Sequence, residues 1–160
     1  MIIILEGPDG SGKTTLAKYF SDKLGYEIKH RSNPKTQKEK DEMMQSYKDD
    51  IMNEENIIWD RGFHSELVYG PIKRDKTYIS IDQMLELEKD LSIKGTMVIY
   101  CTDEIQTLWK RCTSRGEAYI KNIDELQVIK DRYDQLMYNS KHLVPIFTYK
   151  LTQQSFKKKP

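Results

Sequence analysis

The sequence predicts an α/β protein with a five-stranded parallel sheet that is covered by helices on both faces. Short apolar runs alternate along the chain with longer stretches of helical periodicity, the pattern of strands joined by helical crossovers. A glycine-rich segment, Gly7-Pro8-Asp9-Gly10-Ser11-Gly12-Lys13-Thr14, stands between the first apolar run and the first helical stretch. At 160 residues we expect one domain over 1–153, followed by a flexible tail over 154–160.

Five apolar or β-branched runs are predicted to be strands. They are Ile2–Leu5, Tyr26–Lys29, Asn56–Asp60, Thr96–Tyr100 and Pro145–Lys150. The stretches between and around them have helical spacing or capping signals. The predicted helices are Thr14–Leu24, Lys35–Met52, Phe63–Tyr69, Ile81–Leu91, Glu104–Cys112 and Asp124–Tyr138. We expect Gly70-Pro71 to end the third helix, because glycine and proline interrupt helices.

The composition narrows the function classes. Charged residues are balanced, with a net charge of +1, which argues against a nucleic-acid binder. The longest apolar run is too short to span a membrane, and the chain begins directly with a strand rather than a signal peptide. The two cysteines, Cys101 and Cys112, lack the spacing of a metal or redox site and read as reduced thiols. We therefore expect a cytoplasmic protein.

The glycine-rich segment matches G-x-x-x-x-G-K-S/T, a phosphate-binding loop. Its glycines let several backbone N–H groups point into one concavity, to which the following helix adds its positive N-terminus. Lys13 supplies a cation for the β- and γ-phosphates, and the Thr14 hydroxyl can ligate Mg²⁺. The predicted ATP-binding residues are Gly7, Asp9, Gly10, Ser11, Gly12, Lys13, Thr14 and Thr15.

A second candidate group follows the third predicted strand. Asp60 ends this strand, where a carboxylate can hold Mg²⁺ directly or through water. Arg61 comes next and can grip a phosphate with two parallel N–H bonds. The structural alternative is a helix-capping aspartate beside a surface arginine. The order of the glycine-rich loop and then Asp60-Arg61 favours the functional interpretation.

Three segments resemble the thymidylate kinases, and related segments occur in deoxynucleoside kinases. Ile3–Thr15 resembles the opening F-E-G-x-D/E-G-x-G-K-T/S-T of thymidylate kinases. Asp60-Arg61, with Ser65 and Tyr69-Gly70, resembles their D-R-Y/H-x-x-S-x-x-A-Y segment, and Arg111–Glu117 resembles their arginine-rich lid. The resemblance implies a P-loop kinase fold, a three-layer sandwich, with a lid around 111–120.

The resemblance also implies roles for individual residues. ATP would be the phosphoryl donor, with Mg²⁺ held by Thr14 and Asp60. The catalytic residues would be Lys13, Arg61, Arg111 and Arg115, and the acceptor-binding residues would be Asp9, Arg31, Arg61, Phe63 and Tyr69. Other interpretations stay open: a turn-forming Asp9, core packing for Phe63 and Tyr69, and a solvated helical face for the lid arginines.

The acceptor is expected to be a deoxynucleoside monophosphate, with dTMP as the first candidate from the resemblance. No carboxylate ends the second predicted strand, where related deoxynucleoside kinases carry a glutamate as base. A nucleoside acceptor stays open, with His30 or Glu6 as its general base, and so does a regulatory ATP-binding protein without an acceptor. Related kinases are often dimers, so a homodimer is a further expectation.

Overall fold

The computed structural model describes residues 1–31, 34–116 and 119–159. Within these ranges six strands form one sheet in the order β2-β3-β1-β4-β5-β6. They are β1 (Ile2–Glu6), β2 (Glu27–His30), β3 (Ile57–Asp60), β4 (Met97–Thr102), β5 (Ile146–Lys150) and β6 (Ser155–Lys158). The first five are parallel and β6 is antiparallel to β5. The predicted α/β class is therefore confirmed.

Helices connect the strands and cover both faces of the sheet. They are α1 (Lys13–Leu24), α2 (Gln37–Asp41), α3 (Met43–Asn53), α4 (His64–Arg74), α5 (Ile81–Ile93), α6 (Ile105–Ser114) and α7 (Ile123–Asp134), and a π-helical turn (Gln135–Asn139) extends α7. None of the helices in the described part of the chain combines the length and apolar character that crossing a membrane requires.

The alternation of side chains along the buried central strand β1 divides the core into two layers. Ile2 and Ile4 belong to a large cluster with residues of α3, α4, α5, α6 and α7. Ile3 and Leu5 belong to a smaller cluster with Leu16 of α1. Because both faces of β1 are covered, its sequence is continuously apolar rather than alternating.

The prediction of a five-stranded sheet with a flexible tail over 154–160 was wrong at its last element. Residues 155–158 form β6, which pairs with β5. A turn with Gln154 at φ +47° reverses the chain. The Phe156 ring then packs 4.6 Å from the Tyr149 ring and 6.2 Å from the Phe20 ring. One exposed aromatic residue among lysines gave no periodicity from which a strand could be predicted.

Two helix boundaries also differ from the prediction. The helix predicted over Lys35–Met52 is two helices, α2 and α3, which meet at Glu42. Helix α4 continues through Gly70-Pro71 and ends at Arg74, where Asp75, with φ +54°, caps it. The Glu66 carboxylate near the start of α4 accepts hydrogen bonds from Arg74 at the end of the same helix and from the Tyr78 backbone N–H just beyond it.

The register of the parallel strands brings the predicted functional segments to one edge. Leu5 of β1 and His30 of β2 are both paired with Asp60 of β3. Glu6 is paired with Tyr100 of β4. The loops that follow these strands therefore leave the sheet side by side, at the carboxyl edge where ligands bind in sheets of this kind.

Candidate functional site

The glycine-rich loop is shaped by close backbone contacts. Gly7, Gly10 and Gly12 have φ values of +144°, +76° and +88°. A Cβ atom on Gly7 would lie 2.0 Å from the Cys101 carbonyl oxygen, and one on Gly12 would lie 2.7 Å from the Leu151 side chain. Since only glycine fits these positions, the loop can press against β4 and still deliver the first N–H groups of α1 toward an anion.

Replacing Gly7 by alanine is expected to lower the free energy of unfolding by roughly 3–5 kcal/mol, through backbone strain and overpacking against Cys101. Gly95→Ala is the matched control. Gly95 also has positive φ, +70°, but nothing lies within 4 Å of its added Cβ. Gly95→Ala should lower the free energy of unfolding by about 1 kcal/mol, from backbone strain alone. Urea denaturation of both variants measures the difference, and equal losses would contradict the steric account.

Lys13 is folded back over the loop. Its ammonium group donates to the carbonyl oxygens of Gly7 and Pro8, both at 2.8 Å, and to Ser11 Oγ at 3.3 Å. Only 7% of the residue is exposed. Burial, together with the charge of Arg61, lowers the pKa of Lys13 to about 8. The loop therefore holds a desolvated cation directly over its own concavity, where a phosphate oxygen can replace the carbonyl partners.

The Thr14 hydroxyl and the Asp60 carboxylate lie next to each other. Thr14 Oγ1 donates to Asp60 Oδ2 at 3.3 Å. The Nδ1 atom of His30 lies 3.0 Å from the same oxygen, although the His30 side chain is 65% exposed. One hydroxyl and one carboxylate oxygen beside a phosphate-binding loop fit Mg²⁺, which prefers oxygen ligands and keeps several waters. The structure brings together the two residues predicted for this ion.

Arg61 is locked into the loop rather than exposed on the surface. Its backbone is left-handed, with φ +71°, and its N–H donates to the Leu5 carbonyl at 3.0 Å. Its guanidinium donates to Asp9 Oδ1 at 2.7 Å and to the Gly7 carbonyl at 3.0 Å. The Tyr69 hydroxyl donates to Asp9 Oδ2 at 2.7 Å. Both Asp9 oxygens are thus engaged, one by a cation and one by a phenol.

The charges of Asp9, Arg61 and Lys13 influence one another strongly. Burial alone would raise the pKa of Asp9, but the positive charges of Arg61 and Lys13 hold it below its usual value. The carboxylate of Asp9 therefore stays ionised in a position with little solvent. The arrangement is pre-organised, since Arg61 reaches the cleft with one guanidinium edge already fixed.

Glu6 has a structural part in this arrangement. Its carboxylate is fully buried and accepts from the Gly62 N–H at 2.7 Å, from Ser65 Oγ at 2.6 Å and from Tyr133 Oη at 3.2 Å. These bonds tie the end of β1 to the Asp60-Arg61 turn. The Tyr133 hydroxyl also accepts from Arg61 at 3.3 Å. The sequence did not single out Tyr133. The chain has many aromatic residues, and the helix that carries Tyr133 lies far from Glu6 along the sequence.

The first predicted lid arginine, Arg111, contacts the glycine-rich loop directly. Arg111 donates to the Gly10 carbonyl at 3.2 Å and lies 3.4 Å from Asp103 Oδ2. Asp103 in turn accepts from the Thr152 hydroxyl at 2.9 Å. Sequence reasoning missed Thr152, although its place just beyond the carboxyl end of β5 was a signal. Residues 117 and 118, part of the predicted lid, lie outside the described residues.

Arg115 lines a small cleft of about 110 Å³ at the mouth of the loop. The other lining residues belong to the glycine-rich loop and the Asp60-Arg61 turn; they are Asp9, Gly10, Ser11, Gly12, Lys13, Thr14, Asp60 and Arg61. Most of the predicted ATP-binding, metal and catalytic residues therefore share one cleft. Three of them do not line it. Thr15 lines a separate groove with Tyr19 and Phe156, Arg111 lines another surface groove, and Gly7 lies beneath the Lys13 ammonium group.

The predicted acceptor residues are only partly brought together. Arg31 lines a second cavity of about 280 Å³, with Lys35 and Tyr47 on its wall. Its guanidinium lies 3.9 Å from the centre of the Tyr47 ring and pairs with Asp50. Phe63 was predicted to contact the acceptor, but it is fully buried and packs edge-on against Tyr47. That expectation was wrong, because an apolar residue at the start of α4 faces the core.

The structural geometry agrees with comparisons to known proteins. Residues 1–110 match the family described as the Rad17 P-loop domain. The Bacillus subtilis protein YorR, described as an SPbeta prophage-derived uncharacterized protein, is 31% identical over 139 residues, which cover 87% of this chain and 83% of YorR. A Sulfurisphaera tokodaii protein described as a putative adenylate kinase is 26% identical over 151 residues, covering 86% of this chain and 79% of that protein.

Solved structures support the fold. The crystal structure of Bacillus subtilis YorR in complex with phosphorylated GDP has a TM-score of 0.80 and 26% identity, and the match covers 96% of this chain and 87% of that one. Deoxyadenosine kinase from M. mycoides with bound dATP has a TM-score of 0.62 and 19% identity, with 94% of this chain and 91% of that one covered. The second likeness establishes the architecture alone.

Proposed function

Because this chain belongs to the P-loop NTPases, in the family described as the Rad17 P-loop domain, we propose that it is a phosphotransferase acting on a nucleotide or nucleoside. The donor is magnesium-bound ATP. Two relatives support a nucleotide ligand: YorR was crystallised with phosphorylated GDP, and the Sulfurisphaera tokodaii protein is described as a putative adenylate kinase.

One observation carries the proposal. Lys13, Arg61 and Arg115 line the same small cleft as the oxygen ligands Thr14 and Asp60. Phosphoryl transfer requires little covalent chemistry from a protein, because positioning and charge stabilisation supply most of the catalysis. A cleft that combines cations, oxygen ligands and backbone N–H groups supplies both requirements.

Each group in the cleft has a defined task. Lys13 exchanges its carbonyl partners for the β- and γ-phosphate oxygens. Thr14 and Asp60 would hold Mg²⁺, which neutralises charge on the phosphates when bound. Arg61 holds Asp9 in place and presents its guanidinium to the transferred group. Arg111 and Arg115 cover the triphosphate and exclude water, which limits wasteful hydrolysis.

The second cavity favours a monophosphate as the acceptor. Lys35 and Arg31, of which Arg31 also pairs with Asp50, put two cationic groups on its wall, and these suit an anionic acceptor. The Glu39 carboxylate also lines it, but Glu39 Oε2 accepts from the backbone N–H groups of Lys35 and Thr36 at 2.7 and 2.9 Å. It serves as a helix cap rather than as a free base. A deoxynucleoside monophosphate is the proposed acceptor, and dTMP is the first to test because of the sequence resemblance.

A nucleoside acceptor is the second candidate, and one contact favours it. His30 Nδ1 lies 3.0 Å from Asp60 Oδ2, and an aspartate behind a histidine orients the ring so that its other nitrogen can take a proton. A hydroxyl acceptor needs such a base, whereas a monophosphate does not. His30→Gln should therefore reduce turnover by about 10²-fold with a nucleoside acceptor and less than about threefold with a monophosphate.

The test is release of nucleoside diphosphate from magnesium-bound ATP or GTP, with a panel of acceptors. The panel contains dTMP, dUMP, dCMP, dGMP and dAMP with the matching nucleosides, and Lys13→Ala is the inactive control. Strong stimulation by one monophosphate, lost in the control, would support the proposal and name the acceptor. Stimulation by nucleosides would move the assignment to the second candidate. Nucleotide binding without any stimulation would contradict a kinase and favour a regulatory ATP-binding protein.

The binding of ATP is expected to weaken above pH 8. The pKa of Lys13 is about 8 in the free protein, and the bound phosphates require its charged form. Below this pH the cation is present and affinity is constant. Above it, binding must take up a proton, so Kd should rise by up to about tenfold per pH unit. Calorimetry between pH 7 and pH 9.5 measures the slope, which Lys13→Ala should abolish and exposed Lys18→Ala should preserve.

A further inference from the structure

Two histidines converge on one buried glutamate behind the cleft. His64 begins α4, Glu88 lies on α5, and His142 lies between the π-helical turn and β5. Glu88 Oε1 is 2.9 Å from His64 Nε2 and 2.7 Å from His142 Nδ1. His64 and Glu88 are fully buried, and the His142 side chain is 4% exposed. One oxygen and two ring nitrogens thus meet within 4.8 Å of one another.

In each histidine, the partner of the ring nitrogen that points away from Glu88 indicates whether the nitrogen facing Glu88 carries a hydrogen or a lone pair. His142 Nε2 lies 2.9 Å from the Leu136 carbonyl oxygen, which can only accept, so this nitrogen carries hydrogen. In a neutral ring, His142 Nδ1 then directs its lone pair at Glu88. His64 Nδ1 has no hydrogen-bond partner and lies 3.6 Å from Glu6 Oε1. When His64 carries its hydrogen on Nδ1, toward the Glu6 carboxylate, the lone pair of His64 Nε2 also points at Glu88.

In this tautomer two lone pairs and a carboxylate oxygen converge in a buried space, so they require positive charge among them. The positive charge is either one additional proton on each imidazole or a single metal ion.

The surroundings favour the metal ion. Histidines that ligate metals usually donate their other N–H to a backbone carbonyl or a carboxylate. The Leu136 carbonyl accepts from His142 in this way, and the Glu6 carboxylate is the acidic group nearest His64 Nδ1, at 3.6 Å. Two imidazole nitrogens with one carboxylate oxygen are a ligand set of zinc and neighbouring transition metals. Tetrahedral zinc would place its ligand atoms roughly 3.3 Å apart, and Glu88 Oε1 already lies 2.9 and 2.7 Å from the two ring nitrogens. The π-helical turn that contributes Leu136 is of a kind frequent at functional sites.

We propose that His64, Glu88 and His142 bind one divalent transition-metal ion of the zinc class, with water in the remaining position. The ion fastens α4 and α5 to the segment that precedes β5. Mg²⁺ is a poor occupant because it prefers oxygen ligands. This site is separate from the Mg²⁺ position at Thr14 and Asp60 and does not depend on the proposed phosphoryl transfer.

The test uses the full chain after treatment with a chelator, in buffer that contains Mg²⁺ to fill the nucleotide cleft. Zn²⁺ is titrated by calorimetry, and Co²⁺ is titrated with visible absorption as a report of low-symmetry nitrogen and oxygen coordination. We expect about one ion per chain. His142→Ala should weaken binding by at least about 100-fold, while His30→Ala, which changes the chain's other histidine, should leave zinc affinity unchanged.

Equal zinc binding by His142→Ala and by the unaltered chain would overturn the proposal, as would no binding at all. If His142→Ala does not fold, thermal unfolding of the unaltered chain decides the question. A rise in Tm that saturates at one equivalent of Zn²⁺ and is reversed by chelator supports the site. An unchanged Tm, with NMR signals of two doubly protonated imidazoles at pH 7, would identify a network held by protons instead.

Discussion

Replacing Lys13 by alanine is expected to reduce turnover by about 10³-fold, the largest single effect in the molecule. The Lys13 ammonium group is buried against the Gly7 and Pro8 carbonyls, where charge acts through little water and is therefore strong. In the proposed transfer, its removal would leave the developing charge on the phosphoryl group without its main cation. The measurement is steady-state diphosphate release with saturating magnesium-bound ATP and the best acceptor from the panel.

Two comparisons make this result specific. Lys18→Ala removes an exposed lysine from the same helix and should change turnover by less than about twofold. Lys13→Arg retains the charge, but the larger guanidinium does not fit the space over the loop, so most of the activity should still be lost. Near-normal turnover of Lys13→Ala would show that the glycine-rich loop is not where the reaction occurs.

Changes at Arg61 are expected to have the second largest effect. Arg61→Lys should lower kcat/KM by about 10²–10³-fold, because an ammonium group cannot bind both Asp9 and the Gly7 carbonyl in the fork geometry that Arg61 uses. Tyr69→Phe removes one hydrogen bond to the same Asp9 carboxylate and should cost only about tenfold. Comparing the two variants therefore separates the contribution of the Arg61 guanidinium from that of the hydrogen bond that Tyr69 donates to Asp9.

A double-mutant cycle tests whether these residues act together. Asp9→Asn and Arg61→Lys share one contact of 2.7 Å, so their combined effect on kcat/KM should be clearly smaller than the product of the single effects. The free energy of unfolding, measured by urea denaturation, checks that loss of activity is not loss of fold. Independent effects, or a larger loss from Tyr69→Phe than from Arg61→Lys, would contradict the arrangement.

The sequence predicted those parts of the site whose structure depends on short, local segments. The spacing of Gly7, Gly12 and Lys13 specifies a strand, a tight loop and a helix N-terminus, because few other residues permit that backbone. Asp60 was placed correctly beside Thr14 for a related reason: parallel strands align their carboxyl ends, so a polar residue that ends one strand lies near the loop that leaves the next.

Long-range contacts escaped sequence reasoning. The partners of Asp9 are Arg61 and Tyr69, which lie 52 and 60 positions away. Phe63 was assigned to the acceptor pocket but packs in the core, since the direction in which a helix turns its first residues depends on the elements beneath it. Strand β6 was missed because its pairing partner, rather than its own pattern, makes it a strand.

The sequence by itself determined the α/β class, the phosphate-binding loop and the order of the charged residues that follow it. Those features depend on local backbone preferences and on a repeated pattern of apolar residues. Only the tertiary structure decided which partner each buried ionisable group finds: Arg61 meets Asp9, Glu6 accepts from the Tyr133 hydroxyl, and Glu88 meets His64 and His142. Burial makes each of these partnerships obligatory, because an ionised group removed from water must find its counterpart in whatever part of the chain packs against it.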